Sequence, residues 1–265
     1  METAGFIASS FGTLPRFRLV RATTVAEALD ALASADDVAI LAGGTDLPAR
    51  FNEGFAPSTV VDISRIEPLQ RIELRDGALV IGAGVTHAFG ATHPLIREHL
   101  PSFGRAWSGI ANVRIRMSAT LGGNLMARRT RYEGAILLTA LGARARLSTP
   151  SVRDGVELPI ELCSFPDGVL LTAIVIPLRK GLRLDYERSL RPVMTQAVAL
   201  DASGEGRVVT ATEFIRPRVQ NLRGGTLAAT SASPAVFGDP VTSDDYLRRM
   251  QGVFLARQLE RMRAA

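Results

Sequence analysis

Two short segments of this chain carry residue types suited to holding a negatively charged group. They are Leu41-Ala42-Gly43-Gly44-Thr45-Asp46-Leu47 and Thr120-Leu121-Gly122-Gly123-Asn124-Leu125. Each joins paired glycines to small polar side chains. Glycine reaches positive φ freely and lets the backbone approach a ligand closely. Successive amides in such a turn form a concavity for an anion. Thr45 and Thr120 add hydroxyls, and Asn124 adds an amide. Two such turns, about eighty residues apart, suit the two phosphates of one diphosphate. The same pattern also fits two ligand-free tight turns in a chain with 24 glycines, so spacing alone leaves both readings open.

Other chemistries find little support. Gly82-Ala83-Gly84 begins like a dinucleotide fingerprint, but His87 stands at the third glycine position. There is no phosphate-loop sequence, no serine elbow and no evident base for Cys163, which reads as a core residue. One cysteine excludes an intramolecular disulfide framework and a multi-cysteine metal site. Three histidines, His87, His93 and His99, leave little for a histidine metal site. His87, beside a glycine turn, reads as a polar surface or packing histidine rather than a base. No acid–base pair announces itself, which points away from hydrolysis.

The charge balance is 31 basic to 26 acidic residues, a net +5. It is concentrated: Arg114, Arg116, Arg128, Arg129, Arg131, Arg144 and Arg146 share their stretch with a single acid, Glu133. That stretch is either a solvated basic face or a site for an anion or an acidic partner. Nucleic acid is a poor third, because no aromatic residues are interleaved with the arginines as a stacking platform needs. The longest apolar runs, such as Ala135 to Ala143, reach about half of the ~20 residues that span a bilayer. No signal-peptide pattern opens the sequence. These features predict a soluble, reducing, cytoplasmic setting without a membrane span.

The elements that must position the two segments follow from local pattern. Thr24 and Glu27 form a T-x-x-E box before a helix over 24–33 with Val25, Leu29 and Leu32 on one face. Val38 to Leu41 reads as a buried strand running into the first glycine pair. Val60 to Ile63 reads as a strand, and so does Leu79 to Ala83 after a turn at Asp76-Gly77. The pattern predicts helices over 102–113 and from Glu133 to Leu141, and a strand from Leu170 to Ile176. After Pro177 come strands at Leu182–Tyr186 and Thr195–Leu200. The latter joins Val208–Thr212 through Ser203-Gly204-Glu205-Gly206 as a hairpin. Residues 223–240 read as a loop. A helix from Asp244 to Met262, capped by Ser243, closes the chain with Leu247, Met250, Phe254 and Leu259 as its core stripe. A domain boundary is expected near Pro177.

With these segments in place, the sequence resembles the FAD-binding medium subunit of the molybdenum hydroxylase family. That group includes carbon monoxide dehydrogenase, xanthine dehydrogenase and aldehyde or aromatic hydroxylases. The family's SLEEAL, LAGGTDL, VDI, IGAGVT and TIGGN stand here at Thr24–Leu29, Leu41–Leu47, Val61–Ile63, Ile81–Thr86 and Thr120–Asn124. Its LL..I.IP stands at Leu170–Pro177, and its terminal helix at Asp244–Glu260. The motifs run in order over nearly the whole chain.

The resemblance implies an α+β fold. Residues 1–177 would form a two-part FAD-binding domain of the vanillyl-alcohol-oxidase type, with parts at about 1–58 and 59–177. Residues 178–265 would form a small C-terminal antiparallel sheet domain with helices. It implies that backbone amides of both glycine segments hold the FAD diphosphate: Ala42, Gly43, Gly44, Thr45, Asp46 and Leu47 in the first, and Thr120, Gly122, Gly123 and Asn124 in the second. Ile63 and Thr86 would lie near the cofactor. Glu133 stands where the family carries an Asp, after Arg128, Arg129 and Arg131 in place of neutral residues. The implied role is electron transfer. A large molybdenum-cofactor subunit oxidises the substrate, and a small [2Fe–2S] subunit passes electrons to FAD on this chain, in a heterotrimer or its dimer. Two other readings stay open: a stand-alone flavin oxidoreductase of the same superfamily, and a cofactor-poor scaffold subunit.

Overall fold

The computed structural model describes residues 14–129, 133–162, 165, 168–189, 193–212, 216–227 and 238–264. Cys163, Arg131 and most of the expected 223–240 loop lie outside the described residues.

Strand β1 (Arg18–Arg21), helix α1 (Val25–Ala33), strand β2 (Val38–Leu41), helix α2 (Leu47–Asn52) and strand β3 (Thr59–Asp62) come first. The three strands form a parallel sheet in the order β1-β3-β2. Thr24 caps α1, its Oγ1 accepting from the Glu27 amide at 3.1 Å. The Glu27 carboxylate turns back to the Thr23 amide at 2.8 Å, one residue earlier than in a regular capping box. Leu29 and Leu32 bury against Val61, Ile63 and Ile66.

Strands β4 (Ile72–Arg75) and β5 (Ala78–Gly82) then form a hairpin. Its turn residues Asp76 and Gly77 have φ of 50° and 72°, the signs that a two-residue hairpin loop demands. Six helices follow: α3 (His87–Thr92), α4 (Pro94–His99), α5 (Pro101–Ser108), α6 (Val113–Ser118), α7 (Leu121–Met126) and α8 (Glu133–Ala140). Strands β6 (Arg144–Ser148), β7 (Val156–Pro159) and β8 (Leu170–Pro177) complete an antiparallel sheet in the order β4-β5-β8-β6-β7.

Two sequence expectations need correction here. The helix expected over 102–113 stops at Ser108, and a separate helix starts only at Val113. The chain leaves α5 at Gly109 and takes φ of 53° at Ala111, and Asn112 then caps α6 through its Oδ1 on the Ile115 amide at 3.0 Å. The second glycine segment, expected as a turn, begins a helix, because Thr120 Oγ1 caps it on the Gly123 amide at 2.9 Å.

A second antiparallel sheet holds β9 (Arg183–Arg188), β10 (Met194–Leu200), β11 (Gly206–Thr212), β12 (Arg218–Arg223) and β13 (Thr226–Leu227), in the order β13-β12-β11-β10-β9. Helix α9 (Asp244–Ala264) packs on β9 and β10. Its buried stripe is Leu247, Gln251, Phe254, Gln258 and Met262, so two glutamines sit where the apolar pattern led to Met250 and Leu259. They are satisfied. Gln258 Oε1 accepts from Gln196 Nε2 at 2.9 Å, and Gln251 Nε2 donates to Thr210 Oγ1 at 2.9 Å. The architecture is α+β. The largest core is continuous across Pro177: Phe103, Trp107 and Leu138 pack in one cluster with Leu184, Ala197 and Val209.

Candidate functional site

The first glycine segment lies at the carboxyl end of β2 in a parallel β-α-β unit, the end where open parallel sheets place ligands. The Ile63 amide donates to the Leu41 carbonyl at 2.9 Å and so holds Ile63 at the same end. The amides of Gly43, Gly44 and Thr45 have no acceptor among the described residues. Gly44 has φ of 66°, a left-handed conformation in which only Leu41 lies near a would-be Cβ.

The second segment is built differently. The amides of Leu121, Gly122, Gly123 and Asn124 donate to Val85 O, Ala83 O, Thr120 Oγ1 and Thr120 O. Of the amides expected to hold a ligand, those of Gly122, Gly123 and Asn124 thus already donate within the protein. The hydroxyl proton of Thr120 stays available, because its oxygen is the acceptor in the cap. Asn124 Oδ1 accepts from the Gly134 amide at 3.1 Å and ties α7 to the start of α8. The glycines here serve protein packing. A Cβ at Gly122 would run into the backbone of Ala83, and one at Gly43 would run into the carbonyl of Ser118.

These contacts bring both segments to the wall of one cavity of about 570 Å³. That volume falls within the ~300–1,000 Å³ of small-molecule sites. Ala42, Gly43, Gly44, Thr45, Asp46, Leu47, Ile63, Thr120, Gly122, Gly123, Asn124 and Glu133 all line it. Thr86 is not among the lining residues. Its Oγ1 caps α3 on the Phe89 amide at 3.3 Å, and its backbone bridges Thr120. The sequence reading missed His87, Ile110, Ile115, Leu171 and Arg188, which share the wall. Only His87 carried a local signal, its place directly after the Gly82–Thr86 turn. Arg188 reaches the cavity from β9, on the far side of Pro177.

Charge around the cavity is largely paired. Arg129 Nε stands 3.4 Å from Asp46 Oδ1 and its Nη2 stands 3.1 Å from Glu53 Oε2, which fastens the arginine-rich segment onto the first glycine segment. Arg116 Nη1 donates to Ile110 O at 3.1 Å and Ala111 O at 2.7 Å, closing the α5–α6 bend. Arg146 pairs with Glu157 at 2.6 Å, and Arg144 approaches the same carboxylate at 3.5 Å. The basic stretch thus draws on acids from elsewhere in the chain, while Arg128 lines the cavity. Glu133 accepts from Arg188 at 2.8 Å. Burial first, and then the Glu133 charge, hold the Tyr186 phenol above its usual range.

His87 is 1% exposed. Its Nδ1 accepts from Trp107 Nε1 at 2.6 Å, which assigns the proton of the neutral ring to Nε2. Burial, with a smaller push from Arg116, lowers its pKa to about 4, so the ring is uncharged near neutrality. Nε2 is buried and has no hydrogen-bond partner among the described residues. The described residues contain no group of acids, histidines and cysteines able to hold a metal, and none of their helices is long and apolar enough to cross a membrane.

Residues 15–179 match the family described as the FAD binding domain in molybdopterin dehydrogenase. The chain belongs to this family. FAD is the family's cofactor, and the cavity of this FAD-binding chain fits it on its own terms. The cavity has a run of amides at Gly43–Thr45 with no acceptor among the described residues, a left-handed Gly44 crowded only by the Leu41 side chain, and a buried donor at His87 with no partner among the described residues. Among curated relatives, the chain is 36% identical over 129 residues to the caffeine dehydrogenase subunit beta of Pseudomonas sp. (strain CBB1), covering 48% of this chain and 44% of that one. It is 34% identical over 155 residues to the nicotinate dehydrogenase FAD-subunit of Eubacterium barkeri, covering 57% and 51%. The chain spans about half the length of these relatives. The fold is that of a solved chain of carbon monoxide dehydrogenase from Hydrogenophaga pseudoflava: TM-score 0.81, 22% identity, covering 95% of this chain and 99% of that one.

Proposed function

We propose that this chain is the FAD-binding electron-transfer subunit of a molybdenum hydroxylase. It takes electrons from [2Fe–2S] clusters on a small partner subunit and passes them to an external acceptor. A large molybdenum-cofactor subunit oxidises the substrate, in a heterotrimer or its dimer. The observation that carries the reading is the convergence of the two glycine segments on one cavity. When bound, FAD supplies the one-electron chemistry; the chain supplies binding and orientation. The unspent amides of Gly43, Gly44 and Thr45 would donate to the diphosphate, with Ala42, Asp46 and Leu47 shaping that turn. Thr120 and Asn124 would contribute side-chain donors, and Gly122 and Gly123 would hold their segment close. Ile63 and Glu133 would line the site.

We place the FAD-binding domain at residues 1–177 and the C-terminal unit at 178–265, a division supported by the family match ending at residue 179. A cytoplasmic setting is supported by the single cysteine.

The test is anaerobic mixing of the FAD-loaded chain with purines, aldehydes and aromatic heterocycles while the flavin absorbance is followed. No bleaching is expected until the molybdenum and iron–sulfur subunits are added. Rapid bleaching by any of them without partners would instead establish a self-sufficient flavoenzyme.

A further inference from the structure

A buried histidine in the cavity wall has a use that the diphosphate grip leaves open. His87 is fully enclosed, its ring locked by the 2.6 Å hydrogen bond from Trp107 to Nδ1. Trp107 is itself fully buried and stacks on Phe103 at 5.1 Å between centroids, so the lock is part of the core. The His87 amide donates to Ala119 O at 3.0 Å, which fixes the backbone against the second glycine segment. The ring is left with one polar atom, Nε2, which is buried and has no hydrogen-bond acceptor among the described residues, in a residue that lines the cavity. A buried donor without a partner forfeits its hydration with nothing in return, so the arrangement is expected where a ligand completes it. The neighbouring walls, Ile110, Ala111 and Ile115, are apolar. They suit a flat ring better than a phosphate.

We propose that His87 is a cofactor-binding residue whose Nε2–H donates a hydrogen bond to an uncharged acceptor atom of bound FAD. The inference rests on the FAD reading and deepens it. It assigns His87 to the uncharged part of the cofactor rather than to the diphosphate. An imidazole that is neutral at working pH adds a directional hydrogen bond without a charge, and so favours an oxygen or nitrogen acceptor of the ring system over an anion.

Two substitutions separate the two ring nitrogens. His87→Asn keeps an acceptor near the Nδ1 position for Trp107 and removes the Nε2 donor. His87→Gln places a donor near the Nε2 position and gives up the Trp107 acceptor. FAD titration of the full chain, followed by flavin fluorescence, is expected to show affinity about tenfold weaker for His87→Asn and within about threefold of the unsubstituted chain for His87→Gln. The melting temperatures of the FAD-free proteins, measured in parallel, report the cost of the lost Trp107 bond separately. Nitrogen NMR of histidine-labelled, unsubstituted protein needs no variant at all, and the His87 Nε2–H signal is expected to shift on FAD addition. Unchanged affinity in His87→Asn, equal weakening in both folded variants, or an Nε2–H signal indifferent to FAD would each overturn the proposal. Failure of the unsubstituted chain to bind FAD would overturn the FAD reading beneath it, and the same titration shows which of the two has failed.

Discussion

Gly43 lies against the main-chain carbonyl of Ser118 so closely that a Cβ at Gly43 would fall inside it. The first glycine segment is therefore packed against Ser118 and Ala119, the residues that lead into the second, before any ligand is considered. Gly44, one residue on, takes a left-handed conformation in which a Cβ would meet only the Leu41 side chain, at 3.6 Å. The adjacent glycines thus have separable roles. Gly43→Ala is expected to destabilise the fold by about 1–3 kcal/mol, the range for overpacking against an unyielding neighbour. Gly44→Val should cost about 1–2 kcal/mol of left-handed strain and leave a folded chain whose FAD affinity collapses. Urea unfolding beside FAD titration checks both. Equal stability loss without loss of FAD in Gly44→Val would remove that turn from the site.

Arg129 joins Asp46 and Glu53 across more than seventy residues of sequence. It is about one-third exposed, so the pairs lie in the weak class of surface ion pairs. Arg129→Ser is expected to lower stability by at most about 1 kcal/mol at low salt. The difference from the unsubstituted chain should vanish near 1 M salt, where the screening length falls to ~3 Å. Denaturant curves at two salt concentrations read this directly. A salt-independent loss would point to packing by the arginine stem instead.

Glu133 pairs with Arg188 at 2.8 Å beside the buried Tyr186 hydroxyl. Removing the carboxylate charge with Glu133→Gln is expected to bring the Tyr186 phenol back toward its ordinary range, since that charge contributes to holding it up. Burial remains the larger cause, so the return is partial. An alkaline absorbance titration of the phenolate compares the variant with the parent, and an unchanged titration would place the carboxylate out of reach.

His87 also predicts how stability depends on acid. Its folded pKa is depressed to about 4 from an ordinary 6.5 by burial and, secondarily, by Arg116. Above pH 6.5 the ring is neutral in both states and contributes nothing to the pH slope. As pH falls from 6.5 toward 4 the unfolded chain binds a proton that the folded chain refuses, so stability falls, by up to about 3 kcal/mol in all. Unfolding free energies at pH 7.5 and 5 should therefore differ more in the unsubstituted chain than in His87→Gln. Equal slopes would mean that the folded ring accepts the proton.

Local pattern carried much of the architecture. Helix α1 was legible from Thr24, Glu27 and the Leu29–Leu32 spacing, the β4–β5 turn from Asp76-Gly77, and the β10–β11 hairpin from its glycines. These signals are short-range: a cap, a turn dihedral or a buried face is decided by residues within one or two turns of each other. The glycine segments could be picked out the same way, but not their difference. Thr120 reads alike as a loop hydroxyl or as a helix cap, and only the carbonyls of Ala83 and Val85, delivered by the β5–α3 turn, decide that its amides are spent. The same holds for the glutamines of α9, which read as solvent-facing until Gln196 and Thr210 on the sheet beneath satisfy them. Arg188 meets Glu133 across 55 residues and His87 meets Trp107 across 20. Contacts of that kind depend on how helices and sheets stack. Sequence spacing along one element fixes which side of it is buried, and packing alone chooses the partner it is buried against.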